Sequence, residues 1–126
     1  MAGLKGAEDR AASPANTALQ ANTTLLGNTT RLAVLAFLSA CREAQFSAVQ
    51  EHCAVSAPTL SKAVSALESA SYVKVRKGYI GKYPHTWLAA TKHGRAALDD
   101  YLSALQLLVS SARQAAQESE RTTGSV

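Results

Sequence analysis

Residues 56–95, "SAPTLSKAVSALESASYVKVRKGYIGKYPHTWLAATKHGR", pass from a helical apolar period to a strand period and decide the fold. Leu60, Ala63, Val64 and Leu67 recur at spacings of three and four, which puts them on one face of a helix. Ser56 is an N-cap residue type, and Pro58 suits a first helical turn, where a backbone N–H has no partner to lose. The opposite face carries Lys62, Ser65 and Ser69, flanked by Thr59 and Ser61. Such a small, polar, nearly uncharged face lets a helix enter the major groove and hydrogen-bond to base edges. The same pattern alone fits an ordinary amphipathic helix with a serine-rich outer side. Next, Val73 and Val75 alternate with Lys74 and Arg76, and "HTWLAAT" offers a second strand, with the glycines and proline of "KGYIGKYP" predicting a hairpin loop between them. A cationic ribbon directly after such a helix tips the reading toward a wing that straddles phosphates. Lysines on an edge strand also deter aggregation, so part of this charge has a second use.

Upstream, "NTTRLAVLAFLSACRE" predicts a helix capped by Asn28, with Leu32, Leu35, Leu38 and Cys41 sharing one broad face. Gln45-Phe46 is long enough only for a bridge. "SAVQEHC" then predicts a short helix opened by a Ser47/Gln50 capping box, with Val49 and Cys53 inward. A short helix, a turn of about three residues and a longer helix over 56–70 make a helix-turn-helix arrangement. Residues 17–26 suggest another short helix ended by Gly27, and residues 1–16 are polar and aperiodic, as in a flexible tail.

Downstream, Thr91 is a plausible N-cap for a helix of roughly 25 residues, by the 3.6-residue period of its apolar positions. Leu98, Leu102, Leu105, Val109, Ala112 and Ala116 alternate four and three apart, and Tyr101 and Leu108 broaden the stripe. A helix this long outruns what a small domain needs to cover itself, so Leu98, Tyr101, Leu102, Leu105, Leu108, Val109 and Ala112 are expected at a homodimer interface. Folding back on its own core is the alternative.

The expected fold is mainly α with a small antiparallel β-hairpin: a winged helix-turn-helix over 17–90, with a C-terminal dimerisation helix and short tail over 91–126. Charge agrees with it. From Ser56 to Leu98 seven bases meet one acid, Glu68, a local balance of +6 in a chain whose net charge is +4. That concentration is the electrostatic footprint expected for nucleic acid, although a solvated basic face would show it too.

The chain resembles the small winged-helix transcriptional regulators of the MarR/ArsR type over about residues 28–107. The likeness rests on Arg31-Leu32, on Thr59-Leu60-Ser61 and on the run Leu67-Glu68-Ser69-Ala70-Ser71-Tyr72-Val73 into the first wing strand. It continues in Pro84-His85-Thr86-Trp87, followed by Thr91-Lys92-His93-Gly94-Arg95. Where Ser71 stands such regulators usually have glycine, which predicts a differently shaped turn here. The resemblance implies that the second helix of the helix-turn-helix reads an operator, that the wing holds the flanking backbone, and that the molecule is a dimer.

The contacts expected with double-stranded DNA are Pro58, Thr59, Ser61, Lys62 and Ser65 from the helix. Arg31, Lys74, Arg76, Lys77, Tyr79 and Lys82 are expected on the backbone, and Trp87 against a helix. Cys41, Cys53, His52, His85 and His93 are scattered without zinc-ligand spacing, and no nucleophile turn or phosphate loop appears. No cofactor, metal or enzymatic activity is therefore expected. Cys53 reads as a small apolar core residue, and Cys41, beside Arg42, as a partly buried thiol with redox sensing as the alternative. The absence of a leader-like or membrane-spanning apolar run predicts a cytoplasmic protein. The favoured function is a dimeric repressor on a pseudopalindromic operator. The alternatives are a winged helix that docks on an acidic protein, and a sensor gated by a small-molecule effector, metal or oxidant.

Overall fold

The computed structural model describes residue 19 and residues 22–124. The expected tail over 1–16 lies outside them, as does part of the helix expected over 17–26, of which 22–26 is helical. Four longer helices and three strands follow: α1 (Thr29–Ser39), β1 (Ala44–Gln45), α2 (Phe46–Cys53), α3 (Ala57–Ser69), β2 (Val73–Ile80), β3 (Tyr83–Ala90) and α4 (Lys92–Gly124).

α1 begins as expected, because the Asn28 side chain accepts a hydrogen bond from the Arg31 amide at 3.0 Å. Its buried face is Val34, Leu35 and Leu38, with Leu32 and Cys41 half-buried at the margins. α2 departs from expectation at its start. It opens at Phe46 behind Gln45, which makes no side-chain cap, so Ser47 falls inside the first turn and no capping box forms. The reason is tertiary: Gln45 is held extended by pairing with Trp87, and its side chain meets His85 Nδ1 at 3.1 Å. Val49 is buried and Cys53 half-buried. The helix ends on Ala54, which takes a left-handed φ of 55°.

α3 matches its sequence pattern closely. Ser56 Oγ accepts from the Thr59 amide at 3.3 Å, Pro58 lies in the first turn, and Leu60, Ala63, Val64 and Leu67 are buried. The helix closes with the Ser71 amide bonded to the Glu68 carbonyl and the Tyr72 amide to the Leu67 carbonyl, both at 2.9 Å. This pair of bonds requires a left-handed residue, and Ser71 supplies it with a φ of 64°. The turn therefore keeps the conformation a glycine would take, against the expectation of a different shape.

The strands form one antiparallel sheet in the order β1-β3-β2. β2 and β3 pair from Val73↔Ala90 to Ile80↔Tyr83 without a break, leaving a two-residue turn at Gly81-Lys82 in place of the long loop expected over 77–84. Positive φ occurs only at Gly81 in this turn, at 63°, the pattern of a type II′ hairpin turn. Pro84 is tolerated inside the strand because it faces Tyr79 at a position where its nitrogen points away from β2, and β1 reaches only Trp87 and Leu88.

One core joins α1, α2, α3, the base of the sheet and the first turns of α4, with Leu26, Leu35, Leu38, Val49, Leu60, Leu67, Val73 and Leu88 fully or almost fully buried. Leu98 and Tyr101 belong to that core, at 6% and 7% exposure. Two of the seven positions expected at a dimer interface are thus buried within the chain itself. α4 runs 33 residues, longer than expected, and every side chain described beyond Leu105 is exposed.

Candidate nucleic-acid interface

The backbone directs two groups of polar side chains outward from α3. Pro58, Thr59, Ser61, Lys62, Ser65, Glu68 and Ser69 are all exposed, while the four apolar residues between them anchor the helix from behind. Thr59 is partly engaged, because its hydroxyl accepts from Ser56 Oγ at 2.9 Å, which leaves its own proton to donate. The exposed residues border two clefts. A cleft of 270 Å³ between α1 and α3 is lined by Asn28, Thr30, Arg31, Thr59, Lys62 and Ala63. A second, of 330 Å³ between α3 and the ribbon, brings Ser61, Ser65 and Glu68 beside Lys77 and Thr86.

The cations of the ribbon and of the first turn of α4 divide by residue type. Lys74, Lys77, Lys82 and Lys92 are exposed and form no ion pair among the described residues. Arg76 and Arg95 are both committed within the chain. Arg76 grips Glu43 with two hydrogen bonds, Nη2 to Oε1 at 2.6 Å and Nε to Oε2 at 3.2 Å, and its guanidinium lies 4.3 Å from the centre of the Trp87 ring. The hydrogen bond from Arg76 holds the Glu43 carboxyl below its ordinary range, and the carboxylate in turn raises Arg76. Trp87, expected against a helix, borders a shallow groove with Ala48 and Glu51 of α2, and its ring is covered by Arg76. Arg95 reaches the other end of the chain's fold, donating to the Cys41 carbonyl at 2.9 Å and the Ser39 carbonyl at 3.5 Å, where α1 has ended. A planar guanidinium suits such bidentate and capping roles, whereas a lysine head stays hydrated.

Register also sorts the ribbon by face. Lys77 and Tyr79 share the parity of the buried Val73 and half-buried Val75, which is the face turned toward α3, whereas Lys74 and Arg76 point to the other side. The expected cationic side, Lys74 with Arg76, is therefore not the one beside the helix. Tyr79, Ile80 and Tyr83 stand exposed around the turn, with Lys82 at its apex.

A joint that sequence spacing did not expose connects this surface to α4. Thr91 Oγ1 donates to the Ser71 carbonyl at 2.6 Å and accepts from the Gly94 amide at 2.9 Å, and the Thr91 amide donates to the Tyr72 carbonyl at 2.9 Å. Gly94 lies so close to the Tyr72 backbone that an added Cβ would overlap the Tyr72 carbonyl oxygen. The sequence shows the joint only as the Thr91 N-cap and the T-x-x-G-R spacing, neither of which reveals the contact with Ser71 and Tyr72. Beyond the joint, Leu102, Leu108, Val109 and Ala112 are exposed and Leu105 is half-buried against the core, while exposed Leu107 lies outside the expected stripe.

Among the described residues no group of three His, Cys, Asp or Glu is placed to hold a metal, and no helix is long and apolar enough to cross a membrane. Cys41 and Cys53 are both free and half-buried, and burial raises the Cys53 thiol above its ordinary range, which disfavours its reactive thiolate.

No curated protein matches the chain. Among solved structures, a transcriptional regulator homologue from Pyrococcus horikoshii OT3 is 29% identical, with a TM-score of 0.66 over 71% of this chain and 89% of that one. A MarR-family transcriptional regulator from Silicibacter pomeroyi is 23% identical, with a TM-score of 0.54 over 86% of this chain and 79% of that one. The MepR–DNA complex of S. aureus shares the fold at 10% identity, with a TM-score of 0.61 over 87% of this chain and 90% of that one. Residues 30–109, from the start of α1 to the middle of α4, match the family model of the winged helix DNA-binding domain, and the chain belongs to this family of winged-helix transcriptional regulators.

Proposed function

We propose that the chain is a sequence-specific repressor that acts as a homodimer on a pseudopalindromic DNA site. The observation that carries the reading is the shared exposure of the small polar face of α3 and the unpaired lysines of the ribbon beside it. In this reading residues 17–90 are the DNA-binding unit, and Pro58, Thr59, Ser61, Lys62 and Ser65 meet the major groove. Lys74, Lys77, Tyr79 and Lys82 meet the flanking backbone and the adjacent minor groove. Arg76 braces the ribbon through Glu43 and Trp87, and its own contact with DNA is secondary. Residues 91–126 pair two copies through Leu102, Leu105, Leu108, Val109 and Ala112, which would set the two α3 helices about 34 Å apart, one turn of DNA. Four of these five are exposed. Occupying the promoter then blocks transcription.

The test is selection from a pool of random duplexes at two salt concentrations, with sequencing of the retained DNA. Enrichment of a pseudopalindrome, with affinity falling steeply as salt rises, supports the reading. Weak binding without enrichment and with little salt dependence would turn the basic surface into a docking site for an acidic protein.

A further inference from the structure

α3 does not present one undivided polar face. Its exposed residues split lengthwise: Thr59 and Lys62 border the cleft with Thr30 and Arg31 of α1, whereas Ser61 and Ser65 border the cleft with the ribbon. A helix with its side chains is about 10–12 Å across and the major groove about 12 Å wide, so a helix lying there has a phosphate strand along each flank. Resting on the DNA-binding reading above, we infer that the cleft between Arg31 and Lys62 seats one backbone phosphate, so that Lys62 positions the duplex and does not read a base.

Three features of the cleft carry the inference. Two cations from separate helices converge on it, and among the described residues no acid lines it. The rest of its lining is Asn28, Thr30, Thr59 and Ala63, polar or small residues, of which Ala63 is only 5% exposed. The cations are also available. Lys62 forms no hydrogen bond or ion pair within the described residues, and Arg31 spends one guanidinium nitrogen on the Thr24 carbonyl at 3.4 Å, which anchors the fork and leaves its other donors. The opposite flank differs. There Glu68 stands in the cleft beside Ser65, and a carboxylate repels a phosphate but accepts a hydrogen bond from a cytosine amine. Base reading by α3 therefore falls to its ribbon-facing side, where Lys77 of β2 is the only cation beside Glu68 among the described residues, and anchoring by α3 falls to its α1-facing side.

The experiment compares the full chain with Lys62→Ala, Lys62→Arg and Arg31→Gln on two duplexes, the one enriched from the random pool and a scrambled one of equal composition, across a salt series. The expected result is that Lys62→Ala and Arg31→Gln each lose the same factor on both duplexes. The slope of log affinity against log salt should flatten in each, by no more than about 0.9, the value for the one phosphate they share. Lys62→Arg should keep both affinity and slope. Lys62 is exposed, so its variants fold whatever becomes of Arg31→Gln. A loss confined to the enriched duplex makes Lys62 a base reader and overturns the inference, as does an unchanged slope, which puts the cleft off the DNA. If the unmodified chain has no salt-dependent affinity for either duplex, the DNA-binding reading falls first and the phosphate seat with it, before any variant is compared.

Discussion

The turn of the ribbon, residues 79–83, and the joint at residues 91–95 come from one basic stretch, and each holds a glycine and at least one cation. Their physics is opposite. At the turn Gly81 is needed for its dihedral, a φ of 63°, and no atom of the described residues lies within 4 Å of where a Cβ would be. At the joint Gly94 is needed for space, since the Tyr72 backbone occupies the place of a Cβ. Lys82 at the turn stays in solvent, whereas Arg95 at the joint is drawn onto the end of α1. The turn is left open to solvent and the joint is closed by its own chain, so residue type alone does not reveal which role a glycine or a cation serves.

Gly94→Ala should break the comparison most severely. With backbone as the obstacle no side-chain rotation relieves the overlap, and a loss of about 3 kcal/mol, the upper end for overpacking, is expected in urea denaturation. Gly81→Ala should cost less, about 1–2 kcal/mol, the penalty for holding an L residue at positive φ. If the two losses prove equal in the same denaturation series, the distinction between space and dihedral fails.

The comparison sharpens at the two positions where left-handed backbone is already paid for by L residues. Ala54→Gly and Ser71→Gly should each raise stability by roughly 0.5–1 kcal/mol, because glycine removes the Cβ penalty at a helix end and returns part of the gain as chain entropy. Thermal denaturation reads both, and a loss at Ser71 would mean that its side chain contributes more than its dihedral costs.

The smallest effect belongs to Glu43→Gln. The Glu43 carboxyl is held below its ordinary value of 4.5 by the hydrogen bond from Arg76, so the pair adds stability above that value and loses it as pH falls through the lowered one. Denaturation between pH 3 and 7 should therefore show an acid-side fall in the unmodified chain that is shallower in the variant. Equal acid sensitivity in both would show that the pair contributes nothing to stability.

Much of this molecule was legible before any coordinates. The three-and-four spacing of Leu60, Ala63, Val64 and Leu67 identified both the buried and the exposed face of α3, since a helix of 3.6 residues per turn allows one answer. Asn28, Ser56 and Thr91 cap their helices as their short side chains predict, because a cap bonds to amides two or three residues away. The alternation of β2 was equally clear, but not which face would meet α3.

Only the tertiary structure decided the rest, and in each case a distant residue intervened. Glu43 lies 33 positions from Arg76 and removes it from the pool of free cations, and the carbonyls of Ser39 and Cys41 do the same to Arg95. Pairing with Trp87 displaced the start of α2, and packing of α4 on α1 drew Leu98 and Tyr101 into the chain's own core. Periodicity and capping are set by neighbours within one or two turns of chain, which a sequence displays directly. The use of a charge or of an apolar face depends on what the fold brings against it from tens of residues away, and that is settled only when the chain has packed.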